Sequence, residues 1–209
     1  MATEWFRMKG WSPKRREEFF TRLRRCRDKS EYVRVQAQEL LDTRSRRSHL
    51  GALELFDLYI KEWSKQGLVS TALDGRAECF AKLGDLDRAV EAYREVFRVL
   101  RGRNPVQTQT PLDFGWLVAM TPLPELYDEA LSVLDEFPRN TFNHERYRAH
   151  TIQALIFDAR GKRARARKHA RAALLEAEVT HSGMRYHPTF GLVETPDQKL
   201  YAKLQQLAA

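Results

Sequence analysis

Apolar positions recur at helical spacing along this chain, in stretches separated by Gly, Pro and clustered charge. Ser12-Pro13 opens the first stretch, with Ser12 as N-cap, Pro13 in the first turn, and Glu17 and Glu18 near the positive end of the helix dipole. Phe19, Phe20, Leu23 and Cys26 form its apolar stripe, which predicts an N-terminal helix over 12–30. Tyr32-Val33, Leu40-Leu41, Leu53, Phe56, Tyr59-Ile60 and Trp63 then predict two helices over 32–66, broken near Arg44–Ser48 and ended by Gly67. A hairpin of helices follows over 70–103, closed by Gly102–Pro105. Thr110-Pro111 starts the next helix, Pro122 and Pro124 sit in its turn, and Leu126, Ala130, Val133-Leu134 and Phe137 mark the return, giving a hairpin over 111–138. The last hairpin spans 147–178. A loop, His181–Asp197, leads to a short helix predicted over 196–208 with Leu200, Leu204 and Leu207 on its core face.

Two of these segments carry the same pattern. Gly84–Tyr93 reads GDLDRAVEAY and Gly161–Ala170 reads GKRARARKHA. In both, an Ala follows the Gly five residues on (Ala89, Ala166), and a small residue and an aromatic precede it by seven and four (Ala77 and Phe80, Ala154 and Phe157). Ala52 and Ala130 hold the corresponding places in the other two hairpins. Small residues let two helices cross near the short end of the ~8–10 Å interaxial range, so the four alanines are expected at crossings. A pattern returning at this spacing predicts a stacked array of helical hairpins in a single domain, 1–209.

These units resemble tetratricopeptide repeats. Leu73, Ala77, Phe80, Gly84, Ala89, Tyr93 and Val96 match that family's small and large apolar positions, as do His150, Ala154, Phe157, Gly161, Ala166, Ala170 and Ala173. The first hairpin keeps Leu40, Ala52, Phe56 and Tyr59 with Arg47 in place of the Gly, and the third keeps Phe114, Val118, Ala130 and Leu134 with Glu125 there. The resemblance implies an all-α fold, a right-handed α-solenoid of antiparallel helix pairs with about four hairpins plus N-terminal and C-terminal helices. It also implies a concave groove lined by the first helix of each pair. Carried onto this sequence, its lining is Arg34, Leu41 and Arg44, then Thr71, Asp74, Glu78 and Lys82, then Arg148, Thr151 and Asp158. Ala37 and Leu41 stand where members of the family that clamp a terminal carboxylate carry their clamp residues, which argues against that ligand.

Composition adds a charge and few exclusions. The chain has 209 residues, 43% of them apolar and 31% charged, as in folded soluble proteins. No apolar run approaches the ~20 residues of a membrane span or the ~7–15 of a secretory leader, so a cytoplasmic protein is expected, and with the repeat resemblance one of bacterial type. Cys26 and Cys79 form no disulfide framework and read as small buried residues. The net charge is +8 and the pI about 9.7. Much of the excess lies in Arg160, Lys162, Arg163, Arg165, Arg167, Lys168 and Arg171, a run with no acid between them. Two readings stand for this run: a solvated helix face, or a surface for an acidic partner or nucleic acid.

Candidate chemistry is sparse. Asp113-Phe114-Gly115 spells the kinase metal triplet without a glycine-rich loop or an H-R-D segment. His144 and His150 are six residues apart, whereas a zinc helix sets its two His four apart. No catalytic residue, metal or cofactor is predicted. Phe114, Trp116 and Met120 read either as core or as anchors for a partner, and Trp5, Phe6 and Trp11 either as a cap on the array or as a docking element. The expected function is therefore non-enzymatic: a protein-binding module that grips a partner protein or peptide in its groove, as an adaptor, chaperone, regulator or toxin-neutralising protein. The alternative is a nucleic-acid-binding repeat protein using the Arg-rich helices, and self-association stays open.

Overall fold

The structure, a computed structural model, describes residues 4–65, 67–102, 106–194 and 197–209. The predicted element ends at Gln66, Arg103 and Pro105 and the predicted helix start at Pro196 lie outside the described residues. The fold is all-α, with no strand among the described residues. Its helices are α1 (Pro13–Leu23), α2 (Lys29–Leu41), α3 (Arg46–Trp63), α4 (Val69–Leu83), α5 (Leu86–Leu100), α6 (Thr110–Met120), α7 (Tyr127–Glu136), α8 (Asn143–Ala159), α9 (Arg163–Ala177) and α10 (Gln198–Ala208). A short 3₁₀ turn, Pro124–Leu126, precedes α7. The chain divides into two compact units, Met1–Thr110 and Pro111–Ala209.

In the first unit, α2 packs on α3, α3 on α4 and α4 on α5. Ser12 caps α1, its Oγ accepting from the Arg15 amide at 3.3 Å, with Pro13 in the first turn. The helix stops at Leu23 rather than running to residue 30. Arg24, Arg25 and Cys26 close it with tight backbone turns onto Phe20, Arg22 and Leu23. The physical reason is local: beyond Leu23 the chain offers Arg24, Arg25 and Arg27 and little apolar surface to bury, and Asp28 stands at the N-cap position of α2. Cys26 is accordingly half-buried, not core, whereas Cys79 is buried.

Trp5, Phe6 and Trp11 pack within the first unit. Trp5 packs against Phe6, Phe19 and Tyr32 at ring separations of 5.1–5.5 Å. Trp11 is buried and donates its indole N–H to Glu54 at 3.2 Å. The fully buried Gln36 holds the segment before α1 through both polar atoms: its Oε1 accepts from the Met8 amide at 2.9 Å and its Nε2 donates to the Met8 carbonyl at 2.8 Å. The core beneath is Phe19, Val33, Leu40, Leu55, Phe56 and Tyr59 with small Ala37, Ala52 and Ala72 between them.

In the second unit, α7 packs on α8, α8 on α9 and α9 on α10. Gly115 of α6 lies against Ile152 of α8 and Leu134 of α7. Phe114 and Val118 are core, Trp116 is half-buried and Met120 is exposed. Tyr147, Ala154, Ala170, Ala173 and Leu204 form a continuous cluster, with Leu207 packed on it.

The two hairpins read as copies turn in the same way. Gly84 and Gly161 are left-handed, φ 82° and 68°, a conformation that L side chains resist. Behind Gly84, Asp85 N donates to Phe80 O at 3.0 Å and Gly84 N to Ala81 O at 3.1 Å. Behind Gly161, Lys162 N donates to Phe157 O and Gly161 N to Asp158 O, both at 2.8 Å. The crossing alanines Ala52, Ala89, Ala130 and Ala166 are all buried.

Candidate functional site

The expected groove residues fall into two groups. Leu41 and Thr151 are fully buried and line no groove. Leu41 belongs to the core of the first unit, and Thr151 sits one turn beyond buried Tyr147 in the interior of the second. The correction has a simple cause: family positions fix a place along the helix, but the neighbours packed against that helix decide which side is left open.

Most of the remaining groove charges are matched within the chain. Arg34 donates to Glu31 at 2.6 and 3.1 Å. Lys82 pairs with Glu78 at 2.8 Å and also donates to the Leu41 carbonyl at 3.0 Å. Asp74 accepts from Thr110 Oγ1 at 2.6 Å. In the second unit Arg148 donates to Asp113 at 2.8 Å and lies over the Trp116 ring, and Asp158 pairs with Lys203 of α10 at 2.8 Å. Arg44 is exposed and has no ion pair among the described residues.

The Arg-rich run behaves differently. Arg163, Arg165, Arg167, Lys168 and Arg171 are all exposed on α9, whose buried face is the small-residue line Ala166, Ala170 and Ala173. None of the five meets a carboxylate at ion-pair distance among the described residues; Arg171 donates its Nε to the Ala208 carbonyl at 2.9 Å. Helical spacing divides them. Arg163, Arg167 and Arg171 run along one flank of α9. Lys162, Arg165 and Lys168 run along another, where with α7 and α8 they wall a cleft of about 450 Å³. Phe157, Arg160 and His169 also line it, with Asp128 and Asp135 on the α7 side.

Each charge in this cleft has a definite state of pairing. Arg160 donates to Asp128 at 2.7 Å, which holds the Asp128 carboxyl below the usual carboxylate range. Arg165 lies over the Phe157 ring at 5.5 Å. Phe157 in turn packs on the His169 ring at 5.5 Å. His169 shares a hydrogen bond with His150, Nδ1 to Nδ1, at 3.2 Å. Burial first, then the nearby His150, Lys168 and Arg165, pushes the His169 pKa down to about 4, so its ring is neutral at pH 7. Setting Arg160 against Asp128 leaves Lys162, Arg165 and Lys168 facing Asp135 alone, a surplus of positive charge.

Arg160, Lys162, Arg165 and Lys168 stand together in the basic run of the sequence, but Phe157 was not expected beside them. A signal was present: Phe, Gly and Arg recur four residues apart in both copies, Phe80-Gly84-Arg88 and Phe157-Gly161-Arg165. Elsewhere in the second unit, Tyr186 and Phe190 are the most exposed aromatics of the 181–194 loop. Ser182 folds this loop back on itself, its amide donating to Pro188 O and its hydroxyl to His187 O, both at 2.7 Å. Among the described residues no three His, Cys, Asp or Glu side chains gather around a common point, and no helix is long and apolar enough to cross a membrane. No protein family, curated protein or solved structure was found to match the chain.

Proposed function

We propose that this chain is a non-enzymatic, tetratricopeptide-like binding module whose partner is an acidic protein or peptide, taken on the basic side of α9. The observation that carries this reading is the contrast in charge pairing. The groove charges of α2, α4 and α8 are largely occupied within the chain, whereas those of α9 stand exposed and unmatched among the described residues. A half-exposed ion pair offers a ligand little, because the ligand must first displace a partner already in place. Unmatched cations on a rigid helix attract an acidic surface, speed its encounter and favour it over basic competitors.

Nucleic acid is the other common polyanion. Single strands are held by aromatics that stack on bases alongside the cations. The Phe157 ring beside the α9 cations is buried beneath Arg165 and offers no open face to a base. Carboxylates of a partner protein fit this surface better.

The test is affinity capture with the wild-type chain and with a variant carrying Glu at 163, 165, 167 and 168. A partner held by the first and lost by the second, with binding that weakens as salt rises, supports the reading. Retention by both removes α9 from the interface. Recovery of nucleic acid in place of protein replaces the reading.

A further inference from the structure

The two matched hairpins differ at one position in a way that says what the cleft lacks. In the first, Arg88 stacks on Phe80 at 4.8 Å and is neutralised by Asp85, whose Oδ2 accepts from Arg88 Nε at 2.6 Å and whose Oδ1 accepts from the Arg88 amide at 3.2 Å. In the second, Arg165 stacks on Phe157 in the same register, but the residue in the place of Asp85 is Lys162. The backbone is nearly the same at the two sites, φ −93° and ψ 80° at Asp85 against φ −84° and ψ 63° at Lys162. The hairpin geometry is therefore kept while the carboxylate is exchanged for a cation. The result is a stacked arginine without its counter-ion, with Lys162 and Lys168 beside it.

We infer that this place in the cleft is a seat for one carboxylate of the acidic partner, an Asp or Glu side chain that takes the position Asp85 fills in the other hairpin; this rests on the reading proposed above. Arg165 supplies a planar donor fork that matches a carboxylate, and its stacking on Phe157 reduces the freedom lost when that carboxylate arrives. Lys162 and Lys168 add charge from either side along the same flank of α9. The Asp85–Arg88 pair is the chain's own example of the contact, and it identifies the ligand as a carboxylate.

The experiment uses the full chain and a fluorescein-labelled peptide of repeated Glu-Glu-Ala, read by anisotropy at about 50 mM salt, where surface electrostatics are weakly screened. Three variants are compared: Lys162→Asp, which restores the internal carboxylate, Arg165→Ala, which removes the fork, and Arg163→Glu, which reverses a charge on the other flank. The seat predicts that Lys162→Asp and Arg165→Ala each weaken binding by about tenfold or more, and that Arg163→Glu weakens it by less than about threefold. If all three weaken binding equally, the acidic-partner reading stands and the seat is wrong. If the wild-type chain does not bind the peptide, both fall. If a single-stranded oligonucleotide binds more tightly than the peptide and is lost in Lys162→Asp, the occupant is a phosphate and the carboxylate assignment is overturned. Circular dichroism confirms that each variant is folded, and because Lys162 and Arg165 are exposed, folding is expected to persist.

Discussion

The Nδ1 atoms of His150 and His169 lie 3.2 Å apart, so the Nδ1–H of one imidazole donates to the Nδ1 lone pair of the other, and a proton added at the accepting Nδ1 would break that bond. Burial, His150 and the cations of α9 hold the His169 pKa near 4, while Asp135 pulls it upward. The folded-state value lies below the ordinary 6.5, so the fold resists protonation. The stability gained from neutral His169 is complete above about pH 6.5 and is lost as the pH falls towards 4. Because His169 is only half-buried, the loss is expected at about 1–2 kcal/mol rather than the full value of the shift. Urea denaturation of the wild-type chain between pH 4 and 7 should show this slope, and His169→Gln should flatten it. Equal slopes in the two would disprove the pairing.

Gly84 and Gly161 adopt φ of 82° and 68° with open space around the missing side chain, so conformation alone opposes substitution. Gly84→Ala and Gly161→Ala should each cost about 1 kcal/mol, measured by chemical denaturation. Gly67, also with open space but without a positive φ, should tolerate the same change with a smaller loss.

The N-terminal segment depends on Gln36. Replacing it with Ala leaves the Met8 amide and carbonyl without the partners they have in the structure, at a cost of about 1–3 kcal/mol. Trp5 should then become more mobile and more accessible, seen as a red-shifted tryptophan emission and faster proteolysis before α1. Unchanged emission would mean that the aromatic contacts of Trp5 with Phe19 and Tyr32 suffice alone.

Ala89 is fully buried where α5 meets α4, so Ala89→Leu should cost about 1–3 kcal/mol by overpacking. An unchanged melting temperature would contradict its place at the crossing.

Lys162→Asp is expected to act in the opposite sense on stability. An Asp there can accept from the Arg165 amide as Asp85 accepts from that of Arg88, which should add about 0.5–1 kcal/mol. A gain in stability together with a loss of acidic-peptide binding would mark this position as kept open for a ligand at the expense of the fold. A loss of stability would show that the two hairpins are less alike than their backbones suggest.

What the sequence determined by itself is local. Ser12 as a cap, the turns at Gly84 and Gly161 and the buried alanines at 52, 89, 130 and 166 all rest on chemistry within a few residues, where propensity and sterics act directly. The break after Leu23 escaped this reading because apolar spacing continued to Cys26 while the tight backbone turns at Arg24, Arg25 and Cys26 ended the helix. The tertiary structure alone decided which charges cancel. Asp158 meets Lys203, Arg148 meets Asp113 and His150 meets His169 across 19 to 45 residues, and none of these pairings follows from spacing. It likewise decided that Leu41 and Thr151 lie inside and that the α9 cations lie outside. Helical spacing places a side chain on a face; only the helices packed against that face determine whether it is buried, paired or left to meet a partner.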